Sequence, residues 1–453
     1  MARYPNLDII GQTGLSHSGG VINEEWLTKL SGDRAIKVYT EMRDNDAIVG
    51  SILYAIKSLI RQTSWVVEEN HSGHPQAERA AEFLRECAFD DMSLTWEDLV
   101  SEILSMLVFG FSAFEIVYKI RRGPDSRSPK YRSNYTDGLI GWRKIASRSQ
   151  ESIQKWVMDE DGGIRGFYQN TTPSYESVFI PIEKALLFRT EVNKNNPEGR
   201  SLLRNAYRSY FFLKRIQELE AIGIERELAG LPVMQVPPEI MMPNAKPEQK
   251  TLRNNLEALI QQIRRDEREG VLMPSEVDSD NRPTGFKLSL LSTGGRRQID
   301  TNETIKRYES RIAMSVLAEF ILLGTDSHGS FALSSSKTDL FASSLGGILD
   351  SIEAVMNRFA VSRLMKLNPI FPRESWPRFK HGDLEKEPLD EIGTFIQRVA
   401  GANLLTPDIG VEARVRELAG LPEAGPETQL VEEYEEDVDL GIEEEEEDAL
   451  QDD

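Results

Sequence analysis

The chain has 453 residues, 53 Lys and Arg against 74 Asp and Glu, and a formal net charge of −21. Its apolar content of 40% excludes wholesale disorder, and at about 150 residues per domain the length suggests about three structural units. The single Cys, Cys87, excludes an intrachain disulfide framework and any Cys-rich zinc or iron–sulfur site.

The charge is unevenly placed. From Glu427 to Asp453 there are 15 acids and no base, leaving 59 acids against 53 bases for the rest. A block such as Glu443 to Asp448 repels itself and buries no apolar surface, which predicts a disordered acidic tail over 427–453. A calcium loop starting at Asp437 fails, because Gly441 falls one place early and Ile442 takes the sixth position. The opening MARYPNLDII carries no basic-then-apolar leader, so the chain reads as cytosolic.

Residues 1–32, with their scattered Gly and Ser, read as an extended arm. From Asp33 to about Gln62 the apolar spacing is helical, through Ile36, Tyr39, Ile48, Ile52, Ile56 and Ile60. Asp44 or Asn45 is the expected N-cap of a second helix there. Trp65-Val66-Val67 predicts a strand, and helices follow at about 76–88 and 94–109, the latter opened by Ser93 or Thr95. The longest apolar stretch, Ile103 to Tyr118, is too short to span a membrane, holds Glu115 and is divided by Gly110. It reads as a buried helix running into a strand.

Between 119 and 148 stand nine bases, Lys119, Arg121, Arg122, Arg127, Lys130, Arg132, Arg143, Lys144 and Arg148, against Asp125 and Asp137. This run is either a nucleic-acid patch or a solvated loop balancing an acidic partner. No DNA-reading motif accompanies it, and the overall charge opposes tight phosphate binding. Short β-like runs follow at Leu139 to Ile145, Ile153 to Met158, Gly166 to Gln169, Ser177 to Ile180 and Ala185 to Phe188. A hairpin turn is expected at Asp161-Gly162-Gly163. Together they predict a small mixed β module.

A long helix begins near Arg200 and stops at Gly230 with Pro232. A strand at Pro232 to Val236, a helix at about 247–268, strands near 271–273 and 285–291, and a second long helix at about 300–323 come next. Residues 324–336, GTDSHGSFALSSS, predict a small-residue loop. A further long helix is expected from about Lys337 to Leu367, then an irregular crossing at Pro369, Pro372 and Pro377. Short helices over 384–422 precede the acidic tail. The fold class is α+β, mainly α.

Enzyme signatures are missing from the sequence. There is no GxxxxGK[ST] loop, GxGxxG, HExxH or GxSxG. His71 and His74 have metal-like spacing, with no nearby Cys to complete a site. Carboxylates are plentiful but none is marked out by spacing. The chain is expected to have no catalytic residue, no metal and no cofactor.

The order of parts resembles the tailed-bacteriophage portal protein, or head-to-tail connector. DNDAIVGSILYAIKSLIRQTSWVVE is similar to the family's acidic start, helix and Trp-containing strand. NPEGRSLLRNAYRSYFFLKR, followed by Glu225-Arg226 and Gly230-Leu231-Pro232, matches its glycine turn, Leu-rich helix and Gly-x-Pro exit. ESRIAMSVLAEFILLG with SFALSSSKTDLF resembles the helix–loop–helix after the clip, and LLTPDIGVEARVRELAGLP the short C-terminal helices.

The resemblance implies a ring, usually of twelve subunits, at one capsid vertex, with no membrane involved. Double-stranded DNA passes through it, pumped in by the terminase motor and later ejected through the tail. Further implied partners are the major capsid and scaffolding proteins and head–tail adaptors. The implied location is the virion, with assembly in the host cytoplasm. Carried onto this chain, the layout is an N-terminal arm at 1–32, a wing at 33–200, a first stem helix at 201–231 and a clip at 232–299. A second stem helix follows at 300–323, a candidate tunnel loop at 324–336, a wing helix and crossing at 337–383, and crown-like helices at 384–426. The candidate DNA-channel residues are Gly324, Ser327, His328, Gly329, Ser330, Ser334, Ser335, Ser336 and Lys337. Small residues permit movement there at little steric cost, though an ordinary helix–helix connection is an equal reading. Arg253, Arg264, Arg265 and Arg268 are the candidate clip residues facing the terminase or adaptors. A non-viral oligomeric scaffold and a carboxylate-dependent hydrolase or nuclease remain as alternatives.

Overall fold

The N-terminal arm folds back on itself before the first helix. Strands β1 (His17–Ser18) and β2 (Val21–Ile22) pair antiparallel, and Ile22 is buried against Trp156 and its neighbours. The structure is a computed structural model. It describes residues 11–70, 75–171, 173–229, 231–262, 285–291, 300–316, 318 and 331–382, with scattered positions between 393 and 416. It forms two units, residues 1–384 and 385–453.

Asp46 divides the first apolar stripe into helices α1 (Asp33–Asn45) and α2 (Ala47–Gln62). Its carboxylate accepts a 2.8 Å hydrogen bond from the Val49 amide, which satisfies a donor the helix itself leaves unpaired. The cap therefore falls just after the expected Asp44 or Asn45. Asp44 is instead engaged by Arg43 at 2.6 and 2.9 Å. Strand β3 (Trp65–Glu68) and helix α3 (Pro75–Arg85) follow, α3 running into a π-helical turn at Glu86–Asp90. Thr95 caps α4 (Trp96–Ile103) by accepting from the Asp98 amide at 3.2 Å.

After α5 (Ser105–Phe109) the chain turns sharply at Gly110, whose φ is 96°. A side chain there would collide with the Glu198 carbonyl, and one at Gly199 (φ 57°) would strike Gly110 itself. The two glycines let the backbones touch. In strand β4 (Phe111–Ile120) Phe114 and Ile116 are buried and Glu115 pairs outward with Arg148, as the spacing predicts. A register shift between Val117 and Tyr118 then breaks the alternation, leaving Tyr118 half-buried and Lys119 buried.

Two three-stranded sheets carry the β module. In the first, β4 lies between β5 (Ile140–Arg148) and β9 (Ala185–Arg189). In the second, β7 (Ile164–Thr171) lies between β6 (Ile153–Met158) and β8 (Glu176–Pro181). Every pairing in the two sheets is antiparallel, so the module is not mixed. The expected turn is present, with the Asp159 amide donating to the Gly163 carbonyl at 2.9 Å.

Helix α6 (Tyr207–Ala229) leads to β10 (Leu231–Gln235), α7 (Pro238–Met241) and α8 (Pro247–Gln262). Strand β11 (Lys287–Leu291) returns and pairs with β10 from Leu231↔Leu291 to Gln235↔Lys287. Then come α9 (Thr301–Ser315), α10 (Phe331–Val355), a π-helical stretch at Met356–Val361, and α11 (Ser362–Lys366). The crossing expected to be irregular contains a strand, β12 (Arg378–His381), which pairs with β3. Its four residues lie between prolines and Gly382, too short a run to stand out in sequence.

The main core joins α1–α5, the first sheet and the late helices, and Trp96 packs on Phe379 with ring centroids 4.7 Å apart. Side-chain amides tie the late helices to strand edges. Asn368 exchanges two 2.9 Å hydrogen bonds with the Ile140 backbone, and Asn357 does the same with Phe379 at 2.8 and 2.9 Å. A smaller core of Ile22, Phe111, Ile153, Trp156, Phe167 and Ile180 holds the arm to the second sheet. In residues 385–453 the described positions are helical, with an Arg416–Glu412 pair at 2.8 Å.

Candidate functional site

The elements that the resemblance assigns to stem and clip follow one another along the chain: α6, β10, α7, α8, β11 and α9. Packing of α6 on α9 follows from aromatic and apolar spacing. Phe212 stacks on Tyr308 with centroids 6.0 Å apart, while Leu213, Ile312 and Ala313 are buried. Asp300 caps α9, accepting from the Asn302 amide at 2.9 Å and the Glu303 amide at 3.3 Å. Thr301 of α9 donates to Glu220 of α6.

Glu41 on α1 anchors the start of α6. Lys214 donates to it, and this contact holds the ammonium above its usual range. Tyr210, one turn earlier on the same face, is pushed up by burial first and then by the Glu41 charge beside it. The pair at positions 210 and 214 was legible as one helix face; its partner on α1 was not.

The expected second stem helix, 300–323, ends earlier. At Val316 the backbone leaves helical geometry, and the Ala318 amide donates to Ala313 at 2.9 Å, a six-residue closure that finishes the last turn. The candidate channel loop is also shorter than 324–336. Helix α10 starts at Phe331, so Ser334, Ser335, Ser336 and Lys337 stand on a helix. Serine is only mildly unfavourable in a helix, about 0.5 kcal/mol against Ala, and the apolar residues downstream carry the run. Gly324, Ser327, His328, Gly329 and Ser330 lie outside the described residues.

Of the clip candidates, Arg253 lies on α8, where it pairs with Glu257 one turn on at 2.8 Å. Arg264, Arg265 and Arg268 lie outside the described residues, as do His71, His74 and the tail 427–453. Among the described residues, the candidates that are placed are Arg253 on α8 and Ser334, Ser335, Ser336 and Lys337 on α10.

The basic run 119–148 divides by burial, with Arg143, Lys144 and Arg148 half-buried. Lys119 and Arg121 are buried, Lys119 against Asp91 at 2.9 Å and Arg121 against Glu86 at 2.5 Å and Asp137 at 3.2 Å. The Arg121 guanidinium also lies 3.9 Å from the Tyr135 ring centroid and 5.2 Å from that of Phe83. Arg122, Arg127, Lys130 and Arg132 are exposed. Alternation carried on from Phe114 and Ile116 places residues 119 and 121 outward with Glu115. But β4 shifts register between Val117 and Tyr118, and Lys119 and Arg121 are buried; their burial was not readable before the structure.

Among the described residues no helix is long and apolar enough to cross a membrane, and no group of three or more His, Cys, Asp or Glu is arranged to hold a metal ion.

The chain matches the family described as the portal protein of Mu bacteriophage over residues 36–417. No curated protein matches it. Similar solved structures include a chain from the neck of a native gene transfer agent (GTA) particle computed with C12 symmetry, 13% identical over 87% of this chain and 95% of that chain, with a TM-score of 0.49. A chain from the neck of an empty GTA particle computed with C6 symmetry is 12% identical over 86% of this chain and 94% of that one, at a TM-score of 0.49. An HK97 family phage portal protein from Corynebacterium diphtheriae is 12% identical over 76% of this chain and 94% of its own, at 0.40.

Proposed function

The chain belongs to the family of Mu bacteriophage portal proteins, and on that premise we propose that its copies close into a ring at one capsid vertex, the conduit for double-stranded DNA. Its role is that of a phage portal protein. The observation that carries the reading is the family match across 36–417, which takes in the helical layer, the β module and the elements from α6 to α9.

The surface of α6 supports assembly. Phe211, Phe212, Leu219, Ile222 and Ile224 are each at least 40% exposed in the single chain. Apolar side chains left open along one long helix suit a contact with a neighbouring copy. Such a contact joins two different faces and closes by rotation. The ring has twelve subunits in this reading, with α6 and α9 as stem, the β10–β11 region as clip, and residues 33–200 as wing.

The chain works as a passive part: the terminase motor supplies the energy, the clip receives the motor and later the head–tail adaptors, and major capsid and scaffolding proteins surround the ring. It is built in the host cytoplasm and resides in the virion. The segment between α9 and α10 is the one that approaches DNA. The family match favours this reading over a non-viral scaffold or a carboxylate-dependent hydrolase. Sedimentation of the purified chain tests it: a large closed oligomer is expected, and monomer at every concentration would count against it.

A further inference from the structure

Two features of opposite charge stand at opposite ends of β4. One is the arc from Arg122 to Arg132, where Arg122, Arg127, Lys130 and Arg132 are exposed and Asp125 is the only acid. This arc is a built loop. The Arg121 amide donates to Leu139 at 2.9 Å and the Gly123 amide to Tyr135 at 2.8 Å. Asp91 accepts from the Ser133 hydroxyl at 2.8 Å and the Asn134 amide at 3.0 Å. Arg122 rests 5.1 Å from the Tyr131 ring centroid.

The other feature is a cavity of about 530 Å³ between the arm, α1 and the loop before α6. Five carboxylates line it, on Glu24, Glu25, Asp33, Glu191 and Glu198. The two wall arginines are already engaged: Arg204 grips Glu25 at 2.6 and 2.7 Å, and Arg200 stands 3.9 Å from Glu191. Outside the wall, Lys194 pairs with Glu24 at 2.9 Å. Asp33 and Glu198 keep no cationic partner among the described residues, and Glu198 accepts only from the Trp156 indole at 3.3 Å. Trp26 also lines the cavity and is 90% exposed.

Phe111, at the start of β4, touches the cavity, and the arc leaves the strand directly after Ile120. Ten residues of strand separate the two by roughly 30 Å at about 3.3 Å each. The arc of one molecule is therefore out of reach of its own cavity, which is the condition for a head-to-tail contact.

We propose that the basic arc Arg122 to Arg132 of one copy docks into the acidic cavity at Asp33 and Glu191 of the next copy. The inference rests on the ring reading above and names the contact that closes it. Complementary charge fixes the register of the two copies and speeds their encounter. Trp26 supplies an aromatic face for an entering guanidinium or ammonium.

The test uses the full chain and mass photometry across a concentration series. An arc variant, Arg127→Glu/Lys130→Glu/Arg132→Glu, and a cavity variant, Asp33→Lys/Glu191→Lys, should each need about tenfold more protein to assemble. Mixed in equal amounts they should recover, because each supplies the face the other lacks. Neutral versions, Arg127→Ser/Lys130→Ser/Arg132→Ser and Asp33→Asn/Glu191→Gln, replace any reversal that fails to fold by circular dichroism. They are read singly, because mixing them restores only every second contact; the mixing result is taken from the reversals alone. Folded variants that assemble like the wild type, or a mixture that does not recover, would overturn the contact while leaving the ring intact. An arc variant that assembles normally but loses affinity for a double-stranded oligonucleotide would assign the arc to DNA and also overturn it. Wild-type protein that never assembles would defeat the ring reading itself.

Discussion

Lys119 and Asp91 form an ion pair 2.9 Å long in which the two side chains are 6% and 2% exposed. The Lys119 ammonium also donates to the backbone carbonyls of Asp91 at 2.5 Å and Arg132 at 3.0 Å. One buried cation thus joins β4, the turn after α3 and the basic arc. Removing it leaves the buried Asp91 carboxylate without a cationic partner, held by Ser133 and Asn134 alone. Lys119→Met should destabilise the fold by about 3 kcal/mol. Urea unfolding checks this, and an unchanged midpoint would show that the pair contributes little.

Glu198 makes stability pH-dependent. Burial raises its carboxyl from near 4.5 to about 7, opposed by the Trp156 hydrogen bond and reinforced by Asp33. Its folded pKa lies above the unfolded value, so the folded state retains the proton through this window. The stability it contributes is present below about pH 4.5 and is lost as pH rises through 7. Glu198→Gln should gain on the wild type by up to about 3 kcal/mol at pH 8 and by little at pH 4.5. Unfolding midpoints of both proteins across that range are the measurement.

Cys87 should be inert while the chain is folded. Burial pushes its thiol up to about 12 despite the nearby Arg121. A thiol so rarely ionised reacts slowly. Iodoacetamide at pH 8 should label it only on unfolding, at a rate that tracks denaturant; rapid labelling of native protein would contradict its placement.

The segment 324–330 precedes α10 and carries Gly324, Ser327, His328, Gly329 and Ser330. Shortening it should lower DNA packaging or retention without blocking assembly. Normal packaging by such a mutant would remove its role in the channel.

Much of the helical layer and β module was legible, because period and turn chemistry agreed there. Ile153 to Met158 alternates as a strand, and Gly110 interrupts Ile103 to Tyr118 at the observed turn. Long-range docking was not legible. Strand β12 is four residues long and gains its identity only from β3, 310 or more positions earlier in the chain. The basic run misled for a related reason: composition counts Lys119 and Arg121 with their exposed neighbours, whereas Asp91 and Glu86 neutralise them from another element. Ser334 to Ser336 belong to the small-residue stretch that predicts a loop, yet the 25-residue helix α10 takes in all three.

Electron microscopy of the purified chain, viewed along the particle axis, tests the portal assembly most directly. Closed rings with a central opening wide enough for double-stranded DNA are expected. Well-behaved particles without a hole would contradict it.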